Sequence, residues 1–166
     1  MLRVGVMSDS HGFVPDQVYT FFKDTDIILH AGDIGGKEVI NKLSSFKKTV
    51  AVYGNCDDRY LYDGIKSLLK IEIEQVKILM THIGGYPKHY QKNLIPVFEE
   101  EKPDIFICGH SHILKVQYDK DFNFLLINPG ACGRQGFHQV GTLVRFVIDG
   151  KQIKDMDVLD FDKFGQ

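Results

Sequence analysis

The sequence predicts an α/β protein in which a mostly parallel β-sheet is followed by antiparallel strands, most simply as a second sheet packed on the first. Short apolar runs rich in Val and Ile recur along the chain, and segments with helical spacing separate the early ones. After residue 113 the pattern changes to runs joined by turn residues. Strand–helix alternation is typical of parallel sheets, whereas runs joined by short turns predict hairpins.

Five apolar runs predict the buried strands of the α/β core. They are short, and Gly or polar residues end them, as in strands covered on both faces. The runs span residues 2–7, 26–31, 49–53, 76–80 and 104–108.

Three segments predict helices. Residues 15–24 begin with Pro15, and residues 37–46 place apolar side chains on one face. Residues 89–102 form the third helix, in which Pro96 either introduces a kink or marks the true start.

Antiparallel strands are predicted in three places. Residues 66–80 contain two strands joined near Glu74 and Gln75, and residues 116–127 contain two runs around a turn. Residues 143–158 contain Asp149-Gly150, a strong hairpin signal. A final strand with a polar tail ends the chain, and the absence of linkers or repeats predicts one domain over residues 1–166.

Composition excludes several classes of protein. A net charge of −2 gives no support for bulk nucleic-acid binding. No apolar run approaches the ~20 residues that span a bilayer, and the first residues lack a signal-peptide pattern. Three scattered cysteines, Cys56, Cys108 and Cys132, predict a reduced, cytoplasmic chain. The oligomeric state stays open, with a homo-oligomer as one alternative.

Side chains that bind metals follow each of the five apolar runs. They are Asp9 and His11, Asp33, Asn55, His82, and His110 and His112. The carboxyl ends of parallel strands lie along one edge of a sheet, so these seven side chains are expected to converge in one crevice. The NPG segment at 128–130, which follows another strand, is expected to contribute no ligand.

The number and type of donors indicate two cations. Seven donors exceed a four-coordinate zinc site, and one carboxylate shared by two cations gives each about four protein ligands. Imidazole, carboxylate and amide ligands together suit Mn²⁺, Fe, Zn²⁺ or Ni²⁺. Two cations about 3.5–4 Å apart are the arrangement used for phosphoryl hydrolysis.

Several of these residues have simpler interpretations when taken alone. Asn55 is a common turn residue, Asp9 can cap a helix, and His110 and His112 can be structural. Cys56 can be a packing residue as readily as a chemical one.

Other residues near these segments are predicted to have no chemical role. Cys108 is assigned to the core and Cys132 to a loop, and His30 is expected to be a hydrogen-bonded histidine at a strand end. Solvated loops are expected for four basic residues, Lys88, His89, Arg134 and His138, with contact to a phosphate at the rim of the crevice as the alternative.

The ordered set Asp9-x-His11, Gly32-Asp33-x-x-Gly36, Gly54-Asn55, His82 and Gly109-His110-x-His112 resembles the calcineurin-like metallophosphoesterase superfamily, specifically its small bacterial and archaeal phosphodiesterase branch. The resemblance covers residues 3 to about 148 and implies a four-layer α-β-β-α sandwich, with two mixed β-sheets flanked by helices. It also implies two divalent metal ions, with Mn²⁺ favoured and Ni²⁺, Fe or Zn²⁺ as alternatives.

The resemblance further implies a role for each ligand. Asp9, His11 and His112 would hold the first ion and Asn55, His82 and His110 the second, with Asp33 bridging the two. A bridging hydroxide would be the nucleophile, so that Asp33, Asn55 and His82 contribute to catalysis through this hydroxide and by positioning the phosphate.

The chain departs from many phosphatases of the superfamily at Cys56. Those enzymes place a histidine after Gly-Asn, whereas this sequence continues Cys56-Asp57, a variant of the small phosphodiesterase branch. A thiol is a poorer proton donor to a leaving group. Because Cys56 occupies the position of that histidine, it is placed near the leaving group. Because it is a poor proton donor, the expected substrate is a small phosphodiester with a good leaving group.

Two alternatives to a phosphodiesterase stay open. One is a phosphomonoesterase of the same fold. The other is a non-catalytic scaffold, because a retromer subunit shares the fold without the metal-centred activity. Metal-dependent hydrolysis of an aryl phosphodiester would separate the enzymes from the scaffold.

Overall fold

The structure is a computed structural model that describes residues 1–58 and 64–165. In chain order, the strands and helices are β1 (Leu2–Met7), α1 (Asp16–Phe21), β2 (Ile27–His30), α2 (Lys37–Phe46), β3 (Lys48–Ala51), β4 (Leu68–Ile73), β5 (Val76–Thr81), α3 (Ile95–Glu101), β6 (Ile105–Ile107), β7 (Leu114–Asp119), β8 (Phe124–Pro129), β9 (Val140–Asp149) and β10 (Gln152–Asp162). A short 3-10 helix, Lys92–Leu94, precedes α3.

The strands form two mixed sheets of five strands each. The first has the order β10-β9-β1-β2-β3, and the second has the order β4-β5-β6-β8-β7. Three neighbouring strands are parallel in each sheet, β1, β2 and β3 in the first and β5, β6 and β8 in the second. Antiparallel strands complete both sheets.

Three apolar clusters divide the molecule into four layers. The central cluster joins the facing surfaces of the two sheets, with Val6 and Phe146 from one and Met80 from the other. A second cluster packs α1 and α2 on the outside of the first sheet, and a third packs Phe98 of α3 on the second. The predicted α-β-β-α sandwich is confirmed.

The helices agree with the sequence prediction in position and differ in length. The prediction for α2 matches its observed bounds, whereas α1 ends at Phe21. Pro96 lies in the first turn of α3, so it marks the start of that helix, and Lys102 ends the helix in a left-handed conformation. None of the helices within the described ranges has the length and hydrophobicity that a bilayer-spanning helix requires.

The five predicted core strands are shared between the two sheets. The runs at 76–80 and 104–108 belong to the second sheet, where they pair in parallel with each other. The five strands therefore do not line the edge of one mostly parallel sheet, as the strand–helix alternation suggests, but are divided between the two mixed sheets that the resemblance implies. Apolar patterning shows that a strand is buried on both faces. It does not show to which sheet the strand belongs, because both sheets bury their strands between the central cluster and a helix.

Candidate metal centre

The predicted ligands lie beyond the carboxyl ends of parallel strands from both sheets. β1, β2 and β3 lead to Asp9, Asp33 and Asn55, and β5 and β6 lead to His82 and His110. The two sheets face each other, so their loops meet at one end of the sandwich. The donors therefore converge between two sheets rather than along one sheet edge.

Six of the seven predicted ligands form two groups of donor atoms. In each group the atoms lie within 4.8 Å of one another. The first group is Asp9, His11 and His112, and the second is Asp33, His82 and His110.

Asp33 brings these two groups together. Its Oδ2 atom lies 3.1 Å from Nε2 of His82 and 3.8 Å from Nε2 of His11. Oδ1 of Asp9 lies 3.1 Å from Nε2 of His112 and 3.8 Å from Nε2 of His82. Both carboxylates therefore face donors of both groups, and Asp33, the predicted bridging ligand, is one of them.

Each carboxylate uses one oxygen for hydrogen bonds and directs the other at the donors. Oδ2 of Asp9 accepts from Oγ of Ser8 at 2.6 Å and from the backbone N–H of His110 at 3.1 Å. Oδ1 of Asp33 accepts from the backbone N–H of Cys56 at 2.8 Å. The hydrogen bonds to one oxygen of each carboxylate thus fix the orientation of the other oxygen, which faces the histidines.

Electrostatics keep both carboxylates ionised. Burial opposes ionisation of Asp9, but the facing imidazole of His112 and the hydrogen bond from Ser8 outweigh it and lower the pKa of this carboxyl. Burial likewise opposes ionisation of Asp33, but the facing imidazole of His82 and the hydrogen bond from the Cys56 backbone lower the pKa of this carboxyl well below its usual range. Two negative charges in one buried cleft favour a cation.

The imidazole of His82 is oriented by the backbone. Its Nδ1 atom lies 2.8 Å from the carbonyl oxygen of Ala31, to which it donates, so Nε2 is the atom that faces Asp33. Burial lowers the pKa of His82, but the facing carboxylate of Asp33 outweighs burial, and the net pKa of His82 is raised. The pKa of His11 is lowered, chiefly by burial.

Three buried donor atoms have no hydrogen-bond partner among the described residues. They are Oδ1 of Asp9, Nε2 of His11 and Nε2 of His82. Buried polar atoms are nearly always paired, since an unpaired one costs free energy. All three belong to the two donor groups, so divalent cations fit the site in both geometry and chemistry.

Backbone strain is concentrated in the loops that present the donors. Non-glycine residues rarely adopt a positive φ, and they do so mostly where the surrounding structure enforces it. Five predicted ligands have φ between 45° and 69°, namely Asp9, His11, Asp33, His110 and His112.

Backbone hydrogen bonds hold these loops against one another. Asp9 N–H donates to Gly32 at 2.9 Å, His11 N–H to Asp33 at 3.0 Å, and Gly109 N–H to His82 at 2.9 Å. Each bond joins loops that follow different strands. The strained conformations are therefore supported by contacts across the site.

Gly109 permits a close approach in this arrangement. A Cβ atom at Gly109 would lie 2.1 Å from Oγ of Ser8 and 2.8 Å from Oδ2 of Asp9. Any side chain here would displace the Asp9 carboxylate. The glycine before His110 is thus required by the position of Asp9.

Asn55 and Cys56 lie at the open side of the site. The side chain of Asn55 is exposed, its amide donates to Sγ of Cys56 at 3.5 Å, and Asn55 lines a cavity of about 390 Å³ together with His82. Cys56 is also exposed, which disfavours the packing interpretation, and its thiol lies within 4.8 Å of donor atoms of His11 and Asp33. Burial and the charge of Asp33 raise the pKa of the Cys56 thiol.

Comparison with known proteins decides the family. The family model described as "Calcineurin-like phosphoesterase superfamily domain" matches residues 2–151. The chain belongs to the calcineurin-like phosphoesterase superfamily. The predicted resemblance is thus confirmed over nearly the whole chain.

Two sequence relatives of this phosphoesterase come from Methanocaldococcus jannaschii. A probable metallophosphoesterase is 35% identical over 136 residues, which are 78% of this chain and 68% of the relative. A phosphodiesterase is 26% identical over 147 residues, which are 79% of this chain and 84% of the relative.

A solved structure of Vps29 from Entamoeba histolytica, in complex with Zn²⁺, shares the fold. Its TM-score is 0.74 at 18% sequence identity, over 98% of this chain and 99% of Vps29.

Two residues whose roles the sequence did not predict support the loops of the phosphoesterase site. Asp57 accepts hydrogen bonds from the backbone N–H groups of Ile34, Gly35 and Gly54 at 3.0, 2.9 and 2.8 Å. Two of these partners lie more than 20 residues away in the sequence, so no local pattern indicates the contacts. The carboxylate thereby ties the Asp33 loop to the loop that follows β3.

Asn128, in the NPG segment, supports the loop that carries His110 and His112. Its side-chain amide donates to the carbonyl oxygen of Gly109 at 2.9 Å and to Oγ of Ser111 at 3.1 Å. A polar residue near the end of a further parallel strand was the signal that could have indicated this role. The segment thus contributes a positioning side chain.

His30 has the hydrogen-bonded role that was predicted. Nδ1 accepts from the Gly32 N–H at 3.2 Å, so Nε2 carries the proton and donates to Oγ of Ser10 at 2.8 Å. Burial lowers the pKa of His30 to about 4. Cys108 lies in the core as predicted, and Cys132 lies in a loop as predicted, with its side chain buried in the cluster under α1 and α2.

The predicted solvated loops lie partly against the site. His89 lines a cavity together with His110, and the guanidinium of Arg134 lies 4.0 Å from the centroid of the Phe13 ring. A Cβ atom at Gly136 would lie 2.5 Å from Nδ1 of His112. Lys88 and His138 are exposed, as expected for solvated residues.

Proposed function

We propose that this protein is a metal-dependent phosphodiesterase with a dinuclear metal centre. The observation that carries the proposal is the position of Asp33, whose Oδ2 atom faces His82 at 3.1 Å and His11 at 3.8 Å. The proposed ligands are Asp9, His11 and His112 for one cation, Asn55, His82 and His110 for the other, and Asp33 for both.

The donor set favours Mn²⁺, with Ni²⁺, Fe or Zn²⁺ as alternatives. Imidazole nitrogens and carboxylate oxygens occur together in it, and such mixed sets suit these ions better than Mg²⁺ or Ca²⁺. When bound, the two cations would supply a deprotonated bridging water as the nucleophile and offset negative charge on the phosphoryl oxygens.

The residues of the chain would hold and orient these groups. Ser8 and the His110 backbone position Asp9, the Cys56 backbone positions Asp33, and Ala31 sets the tautomer of His82. Such preorganised contacts remain in place during the reaction, so the site needs little rearrangement.

A diester with a good leaving group is the proposed substrate. The phosphodiesterase relative supports the diester, at 26% identity. Cys56 stands at the open side of the site, and the raised pKa of its thiol makes it a weak proton donor at neutral pH. We expect faster hydrolysis of bis-aryl phosphodiesters than of alkyl phosphomonoesters at equal metal loading, and the reverse order would favour a phosphomonoesterase.

The scaffold is the second candidate function. Vps29 supports it through the shared fold, and exposed apolar side chains such as Tyr118 and Phe137 offer contacts for a protein partner. The six clustered donors support the enzyme instead, since a scaffold does not require unpaired buried ligand atoms.

The cytoplasm is the proposed location. All three cysteines are unpaired, two of them in the core, and free thiols persist in a reducing compartment.

Two charge-neutralising variants test the proposal. Asp33→Asn removes a charge from the site, and Asp157→Asn removes one from an exposed ion pair with Arg145. We expect Asp33→Asn to lower Mn²⁺-dependent hydrolysis of bis(4-nitrophenyl) phosphate by at least about 100-fold and to weaken Mn²⁺ binding, while Asp157→Asn behaves as wild type. Full turnover by Asp33→Asn, or metal-independent hydrolysis by the wild type, would contradict the proposal.

A further inference from the structure

A cavity of about 480 Å³ opens beside His110. The cavity is called here the Tyr86 pocket, and the side chains that matter to it are Ile83, Tyr86, His89, His110, Ile113 and Lys115. We propose that the Tyr86 pocket binds a flat aromatic substituent of the phosphoester substrate. The inference rests on the proposed function, since it assumes that the phosphate lies at the metal centre.

Three large apolar side chains of the Tyr86 pocket are exposed to solvent. The exposed fractions of Ile83, Tyr86 and Ile113 are 37%, 49% and 53%. Exposed apolar side chains scattered singly need no explanation, but a group of them around a cavity marks a binding site. An apolar occupant would remove this surface from water.

Two rings provide a platform for a flat group. The rings of Tyr86 and His89 lie 4.8 Å apart between centroids at an angle of 44°. Nζ of Lys115 lies 5.6 Å from the centroid of the Tyr86 ring. Aromatic rings stack on one another, and a nearby cation favours an anionic ester.

The loop that carries these rings is held in place. The His89 N–H donates to the carbonyl of Tyr86 at 2.8 Å, and the Gln91 N–H donates to the carbonyl of Gly84 at 3.0 Å. Two hydrogen bonds within one loop fix the platform before a ligand binds, which reduces the entropy cost of binding.

His110 connects the Tyr86 pocket to the metal centre. Its side chain belongs to the group of donors with Asp33 and His82, and it also lines the pocket. A phosphate at that donor group would therefore place one of its substituents at the mouth of the pocket. The volume is in the range that holds small ligands.

Direct binding of two phosphonates tests the proposal. Phenylphosphonate carries a flat ring and methylphosphonate does not, while their anionic groups are alike. With Mn²⁺-loaded protein, calorimetry is expected to show that phenylphosphonate binds about tenfold more tightly than methylphosphonate. The ratio should fall below about threefold in Tyr86→Ala and persist in Tyr86→Phe.

Tyr118→Ala is the matched control, because Tyr118 is 55% exposed and lies outside the pocket. It should keep the wild-type ratio. A wild-type ratio near one, or a ratio that Tyr86→Ala leaves unchanged, would overturn the proposal.

Two sources of the aromatic group are separated by a second pair of ligands. AMP carries a nucleobase that ribose 5-phosphate lacks. A preference for AMP that depends on Tyr86 identifies nucleotides as the ligand class, whereas a preference confined to phenylphosphonate identifies simple aryl esters; both outcomes support the pocket.

The experiments distinguish a wrong proposal for the Tyr86 pocket from a wrong proposal for the enzymatic function. Hydrolysis without any aromatic preference refutes the pocket alone. Aromatic preference that depends on Tyr86, without any hydrolysis, refutes the phosphodiesterase and keeps the pocket.

Discussion

Replacing Asp57 by Asn tests how the site is held together. The Asp57 carboxylate accepts from the N–H groups of Ile34, Gly35 and Gly54, which belong to the loops around Asp33 and after β3. Asparagine has a similar size, but one carboxylate oxygen becomes an NH₂ group that cannot accept. The variant therefore removes acceptor capacity without creating a cavity.

The magnitude follows from the burial of the bonds. Hydrogen bonds to charged groups stabilise a protein by about 1.5–3 kcal/mol each. The bonds from Ile34 and Gly54 are partly buried, while the bond from Gly35 is exposed and contributes little. Both of these partly buried bonds go to the same oxygen, Oδ2, so the amide oxygen of Asn can keep them, but as bonds to a neutral acceptor, which contribute about 1 kcal/mol less each. We therefore expect Asp57→Asn to lower the free energy of unfolding by about 2 kcal/mol.

Urea denaturation and Mn²⁺ calorimetry measure the two consequences. Unfolding is followed on metal-free protein, so that stability is separated from binding. Because the loosened loop carries Asp33, Mn²⁺ affinity should fall at least about tenfold, as for other residues that orient ligands. Asp157→Asn serves as the control. A change below about 0.5 kcal/mol together with wild-type Mn²⁺ affinity would refute this account of Asp57.

Three further predictions concern other residues. Gly109→Ala should destabilise the protein by about 1–3 kcal/mol in urea denaturation and weaken Mn²⁺ binding, because the added Cβ displaces Asp9; unchanged binding would contradict the close approach. The pKa of His30 is about 4 in the folded state against 6.5 when unperturbed, so its contribution to stability is complete above about pH 6.5 and is lost as the pH falls toward 4. Between these values wild-type stability should fall by up to about 3 kcal/mol relative to His30→Gln, and parallel pH profiles in urea denaturation would refute the burial of a neutral imidazole. Cys56→Ala should change kcat for bis(4-nitrophenyl) phosphate by less than about threefold, because nitrophenolate leaves without a proton, whereas a loss of 100-fold or more would show direct participation.

Local patterning predicted most of the secondary structure. Helix α2 has its predicted bounds, and the hairpin at Asp149-Gly150 joins β9 to β10. Pro96 left two alternatives, since proline is compatible with a first helical turn and with a kink. The structure resolves them by starting α3 at Ile95.

Strand partners could not be predicted from the same patterns. A buried strand has the same apolar sequence in either sheet, so β5 and β6 could not be assigned to the second sheet. The prediction of the ligands did not depend on which sheet contains β5 and β6, because strands of both sheets end at the same side of the sandwich.

Contacts between distant loops were beyond the reach of the sequence. Asp57 and Asn128 act through hydrogen bonds with atoms of the ligand loops about 20 residues away, and such contacts have no characteristic spacing. The left-handed conformations of Asp9 and Asp33 were likewise hidden, because neither residue type requires them.

Anomalous diffraction from crystals grown with Mn²⁺ tests the dinuclear centre most directly. The account predicts two peaks about 3.5–4 Å apart, one beside Asp9 and His112, the other beside His82, with the Asp33 carboxylate contacting both. A single peak, or none at saturating Mn²⁺, would contradict it.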